Sequence, residues 1–147
     1  MTDTATTAAP VIHGPVPIGS TGALRAAVLA MLKIEQGAGT IPADRNEPGE
    51  ADLVLYIGEE REPEAVATFY FIGNKRMWFD LLMVHADHRG KGLGTALLAA
   101  FVAAAKERGC TGAELGTLAD NEAMRGLAEY NGWLEKALVL ELDFAGE

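Results

Sequence analysis

The 147-residue chain predicts an α/β fold: a mixed, mostly antiparallel sheet with one central parallel strand pair, flanked by helices. Three observations predict it. Asp52–Ile57, Ala65–Ile72 and Met77–His85 are apolar, strand-favouring runs joined by short polar turns, the pattern of an antiparallel meander. The third run passes through a glycine-rich turn straight into a long apolar-periodic segment, Thr95–Arg108. A further strand, Thr111–Leu118, follows that helix, and a crossover of this length returns it parallel to Met77–His85.

Taken in order, residues 1–10 are small and polar and read as a disordered tail, leaving 11–147 as a single domain. Val11–Ile18 is strand-like, but Pro15 and Pro17 confine it to a sheet edge. Ser20 or Thr21 caps a helix whose Leu24, Val28, Met31, Leu32 and Glu35 fall at helical spacing, with Gly37 as its stop. Ala38–Glu50 is broken by Gly39, Pro42, Pro48 and Gly49 and forms the longest loop, either a functional segment or a passive connection. Thr95–Arg108 buries Leu97, Leu98, Phe101, Val102 and Ala105 on one face and ends at Gly109. Asp120 or Asn121 caps a second helix, Glu122–Asn131, stopped by Gly132. Ala137–Phe144 alternates apolar and polar residues and reads as a terminal strand.

Composition narrows the function. The formal net charge is −9 and the pI about 4.8, which argues against a broad basic face for nucleic acid or an anionic membrane. An anionic ligand then needs a local basic site, and cationic acceptors are drawn to the rest of the surface. A single cysteine, Cys110, excludes an intrachain disulfide framework and a cysteine metal cluster. No metal site is expected. The N-terminus lacks the positive and apolar regions of a secretory signal. No stretch reaches about 18 uninterrupted apolar residues. A cytoplasmic protein is the default expectation.

The informative stretch is Leu81–Thr95, LLMVHADHRGKGLGT. A buried strand runs through a basic glycine loop into a helix N-terminus, whose free N–H groups and dipole favour an anion. A nucleotide phosphate loop needs Ser or Thr after its lysine, and Lys91 is followed by Gly92. A dinucleotide fingerprint needs a third glycine five residues after Gly90, where Thr95 stands. Arg89-Gly90-Lys91-Gly92-Leu93-Gly94, an Arg-x-x-Gly-x-Gly pattern between an apolar strand and a long helix, resembles motif A of the GNAT superfamily of acyl-CoA-dependent N-acyltransferases. The order of elements from Ala51 to Trp133 carries the same resemblance. Glycines 90, 92 and 94 let the backbone approach a pyrophosphate, Arg89 and Lys91 supply charge, and Thr95 adds a hydroxyl.

The resemblance implies a splayed pair of parallel strands with a pantetheine arm threaded between them, the backbone of Met83 and Val84 pairing with that arm, and Asn121 contacting it. It implies transfer of the acetyl group of acetyl-CoA directly to a primary amine of a small or peptidic substrate. The amine must lose a proton, and the family's acidic residue on the pre-loop strand falls on Asp80. Desolvation in an apolar strand makes a lone carboxylate a better base; a basic neighbour or a place at the sheet rim is the alternative. His85 and His88 are reserves. The family's thiolate-protonating tyrosine falls on Ala128, two residues from Tyr130; either Tyr130 substitutes or water does. The C-terminal strand region is shortened relative to the family. An exposed sheet edge there makes a homodimer a candidate assembly. A non-catalytic acyl-CoA-binding or regulatory domain is the competing function.

Overall fold

The computed structural model describes residues 9–117, 121–137, 140, 142 and 144. Five strands form one sheet in the order β1-β2-β3-β4-β5: β1 Ile12–Pro17, β2 Leu53–Gly58, β3 Pro63–Gly73, β4 Arg76–Val84 and β5 Gly112–Leu115. The first four are antiparallel neighbours and β5 runs parallel to β4. The mixed, mostly antiparallel sheet with one parallel pair is as predicted, with the proline-bearing strand at one edge; among the described residues, however, the parallel pair ends the sheet instead of lying at its centre, and Ala137, Leu140, Leu142 and Phe144 of the predicted terminal strand form no strand. Residues 1–8 of the predicted tail, Leu118, Asp120 and half of the predicted terminal strand (138, 139, 141 and 143) lie outside the described residues.

Helix α1, Gly22–Ala38, is capped by Thr21, whose hydroxyl accepts from the Leu24 N–H at 3.1 Å. It runs past Gly37, the predicted stop. Gly39 is the residue at positive φ (+84°), with its N–H on the Gln36 carbonyl and the Thr40 N–H on that of Glu35. A glycine inside the last turn costs some helix propensity but breaks no hydrogen bond; only the one that reverses the backbone ends the helix. Helix α2, Leu93–Glu107, links β4 to β5, and α3, Glu122–Tyr130, follows β5.

The sheet is covered on both faces. Leu24, Val28, Met31 and Leu32 of α1 pack on Val54, Val66, Leu81 and Met83. Leu97, Leu98, Phe101, Ala104 and Ala105 of α2 pack on Leu55, Ala67, Phe69, Met77 and Phe79, and Met124 and Leu127 of α3 add to that side. Phe101 is its centre, meeting Phe69 and Phe79 edge-on at 5.0 and 4.8 Å and stacking on Trp133 at 6.3 Å.

Strand β4 changes faces along its length. Met77 and Phe79 point to α2, whereas Leu81 and Met83 point to α1. Strict alternation forbids this for odd residues. The register gives the reason: Phe69 pairs with Phe79 and Thr68 with Leu81, so Asp80 is an extra, bulged residue with no partner on β3. One inserted residue exchanges the two faces of everything after it.

Candidate active site

The parallel pair separates where the bulge falls. Arg76–Phe79 pair with Gly112–Leu115, and the pairing then stops. Beyond it, Asp80, Leu81, Leu82 and Val84 face Leu115, Gly116 and Thr117 across a cleft of about 570 Å³. Asn121, Met124 and Leu127 of α3 form one end wall; Thr40, Ile41, Pro42 and Arg45 of the long loop form another. Unpaired backbone along one strand, facing an apolar cleft, can take an extended polar ligand as a further strand would be taken. Met83 does not line the cleft; its side chain is buried against α1.

The glycine loop closes the cleft at the end of β4. Gly90 and Gly92 stand at φ of +79° and +78°, a region that side chains other than glycine's enter at a cost. A Cβ at either meets nothing within 4 Å, so the loop's outer side is open to a group as bulky as a pyrophosphate. Gly92 is the N-cap of α2 and offers no side-chain acceptor to the first-turn N–H groups. Gly94 lines the cleft and also has close neighbours. A Cβ there lies 3.3 Å from Leu127 and 3.4 Å from Leu82, so this glycine serves the close packing of α2 against β4 and α3. Lys91 is exposed with its Nζ 3.3 Å from His88 Nδ1, and Thr95 is exposed on the first turn. Arg89 donates to the Val84 carbonyl at 3.2 Å and to Glu35 Oε2 at 2.9 Å.

Asp80 does not stand alone, as its strand context suggests. Its side chain is 8% exposed and bound by the Arg45 guanidinium. The loop bearing Arg45 is tied to α1: Gln36 Nε2 donates to the Pro42 and Arg45 carbonyls at 3.1 and 3.3 Å. Thr40 Oγ1 donates to Glu35 Oε1 at 2.5 Å. Behind the ion pair lies a second pocket lined by Glu47, Asp52 and Tyr70 as well as Arg45 and Asp80. Burial pushes the Asp52 carboxyl above its usual range and the charge of Asp80 adds to this; the Gly49 N–H and Arg45 oppose it. Tyr70 is pushed up by burial first, then by Asp80 and Asp52.

Tyr130 is a correction. It is 86% exposed and takes no part in lining the cleft. Two residues along a helix turn a side chain by about 200°, so it is Ala128, at the expected position, that is buried. Asn121 lines the cleft and also caps α3, accepting from the Met124 N–H at 3.1 Å. His85 and His88 sit in the loop with rings 5.8 Å apart and do not line the cleft. Cys110 is half-buried beside the α2 core. Glu35, Arg45, Trp78 and Thr117 line the cleft without having been singled out from sequence; the only signal was that Arg45 lies in the longest loop. Among the described residues there is no cluster of His, Cys, Asp and Glu fit for a metal and no helix long and apolar enough to cross a membrane.

The acetyltransferase (GNAT) family model matches residues 31–133. No curated protein sequence matches. Among solved structures, a ribosomal-protein-alanine N-acetyltransferase from Brucella melitensis biovar Abortus 2308 is similar at a TM-score of 0.65 and 18% identity, covering 91% of this chain and 100% of its own. An IAA acetyltransferase from Bacillus cereus ATCC 14579 is similar at 0.62 and 21%, covering 84% and 76%. An aminoglycoside acetyltransferase from an uncultured soil metagenomic sample, in complex with sisomicin, is similar at 0.68 and 11%, covering 91% and 94%.

Proposed function

Since the chain belongs to the GNAT acetyltransferase family, which uses acetyl-CoA, we propose that it is an N-acetyltransferase acting on a primary amine of a small or peptidic substrate. The observation that carries this reading is the unpaired half of β4, with a buried carboxylate at its start and an anion-ready glycine loop at its end.

Acetyl-CoA supplies an acyl group already activated as a thioester. The first-turn N–H groups of α2, with Arg89, Lys91 and Thr95 beside them, hold its phosphates in an otherwise acidic chain. The backbone of Met83 and Val84 takes the pantetheine arm, and a fixed N–H there stabilises charge developing on the thioester oxygen. Asn121 contacts the arm from the opposite wall. Asp80 accepts a proton from the acceptor ammonium, which frees the amine lone pair for attack. Attack forms the C–N bond, cleavage of the C–S bond leaves a thiolate, and the second proton of the acylated nitrogen passes through water in the open cleft to that thiolate, because Tyr130 points elsewhere.

Mixing the protein with acetyl-CoA and a panel of primary amines and following free thiol tests this. Amine-dependent thiol release with at least one acceptor is expected. A second reading, a non-catalytic acyl-CoA-binding domain, is favoured by Ala128 at the tyrosine position, and CoA binding without release on any amine supports it. Better protection from unfolding by ATP or NAD than by CoA would sink the cofactor assignment.

A further inference from the structure

The Arg45–Asp80 pair sits where two cavities meet: both residues line the acyl-transfer cleft and the pocket of about 380 Å³ behind it. The pair is lopsided. Asp80 is nearly sealed from solvent, whereas the Arg45 side chain is 24% exposed and reaches in from an irregular loop. That loop is held through backbone carbonyls by Gln36, so its path does not depend on where the guanidinium lies. The flexible stem of Arg45 can therefore withdraw while the loop stays. A buried carboxylate stripped of its paired cation is strongly disfavoured. What displaces Arg45 must then itself be a cation.

We propose that Arg45 is an internal occupant of the acceptor subsite, its guanidinium holding on Asp80 the place that the ammonium of a cationic amine takes during turnover. The surroundings suit that exchange. Glu47, Asp52 and Asp80 line the rear pocket with Arg45 as its one cation among the described residues, so the negative charge exceeds the positive. Tyr70 and Trp78, directly opposite each other in register, stand beside Asp80 on the two cavity walls; aromatic side chains of this kind favour organic cations. The site thus selects cationic over neutral amines, and a second positive charge on the acceptor finds Asp52 and Glu47 behind the first. This rests on reading the cleft as an acyl-transfer site, but the subsite can be tested apart from turnover.

The test removes the tethered cation and returns it free. Methylguanidinium titrated into the full chain carrying Arg45→Gly should raise its thermal unfolding midpoint in a saturable way. Wild type and Arg45→Gly combined with Asp80→Asn should respond only as they do to sodium chloride. In turnover, Arg45→Gln should lower KM for 1,4-diaminobutane roughly fivefold, the scale of one partly exposed ion pair. KM for 2,2,2-trifluoroethylamine, neutral at the assay pH, should not follow. Methylguanidinium should compete with the diamine in the glycine variant. Absence of saturable stabilisation, equal KM shifts for both amines, or restoration of a lost rate by methylguanidinium would each overturn the proposal; the last would make Arg45 a positioning residue. Should Arg45→Gly not fold, the KM comparison in Arg45→Gln decides. If wild type acetylates no amine, the functional reading fails, and methylguanidinium binding still decides the subsite.

Discussion

Replacing Gly92 with Asp and, separately, with Asn isolates the electrostatic part of the proposed phosphate loop. Both residues must adopt the left-handed backbone that Gly92 holds at φ +78°. Both pay the same strain, about 1–2 kcal/mol, and both recover part of it as N-cap side chains of α2, a position with no side-chain cap in the native chain. A Cβ at this position meets nothing within 4 Å, so neither variant clashes. They differ by one negative charge. At about 6 Å and an effective dielectric of about 20, that charge opposes each phosphate charge by about 3 kcal/mol, or roughly a hundredfold in affinity. Calorimetric titration with CoA should show the Asp variant binding at least that much more weakly than the Asn variant, with unfolding midpoints nearly equal. CoA affinities within about threefold of each other would refute the placement of the pyrophosphate at this helix start.

Other perturbations give separate readings. Glu35→Gln should tighten CoA binding by up to about fivefold, because the phosphates no longer compete with a carboxylate for the exposed Arg89; weaker binding on titration would contradict it. Asp80→Asn should lower the rate of acetyl transfer to a protonated amine, and an unchanged rate would remove Asp80 as the base. Phe101→Ala should cost about 3–5 kcal/mol in urea unfolding, since it removes the ring on which Phe69, Phe79 and Trp133 meet. Asp52 holds its proton more tightly folded than unfolded. Its contribution is therefore fully present below about pH 3.8 and is lost as pH rises through its raised folded value. Asp52→Asn should accordingly stabilise the protein more at pH 7 than at pH 3 in thermal unfolding.

The element order and the glycine loop were legible in the chain because both rest on local signals. Apolar, strand-favouring runs marked β2 to β4, helical spacing marked α1 and α2, and Thr21 and Asn121 did cap α1 and α3. Errors arose where one residue type has two uses. Gly37 and Gly39 look alike in sequence, but only Gly39 takes the positive φ that ends α1. Gly94 looks like Gly90 and Gly92, yet it is held by neighbours on β4 and α3. Tyr130 was a candidate by nearness along the chain, and helical rotation turns it outward.

By itself the sequence determined the strand–loop–helix unit, because hydrogen-bonding helix ends, glycine conformations and apolar periodicity act over a few residues. Tertiary structure decided the environment of Asp80. Asp80 lies in the sequence as one carboxylate in an apolar strand. Only pairing with β3 makes it a bulge, and only the return of a loop 35 residues away in sequence brings Arg45 to it. Register and charge pairing are non-local: each depends on what another segment presents, and no run of neighbours along the chain carries that information.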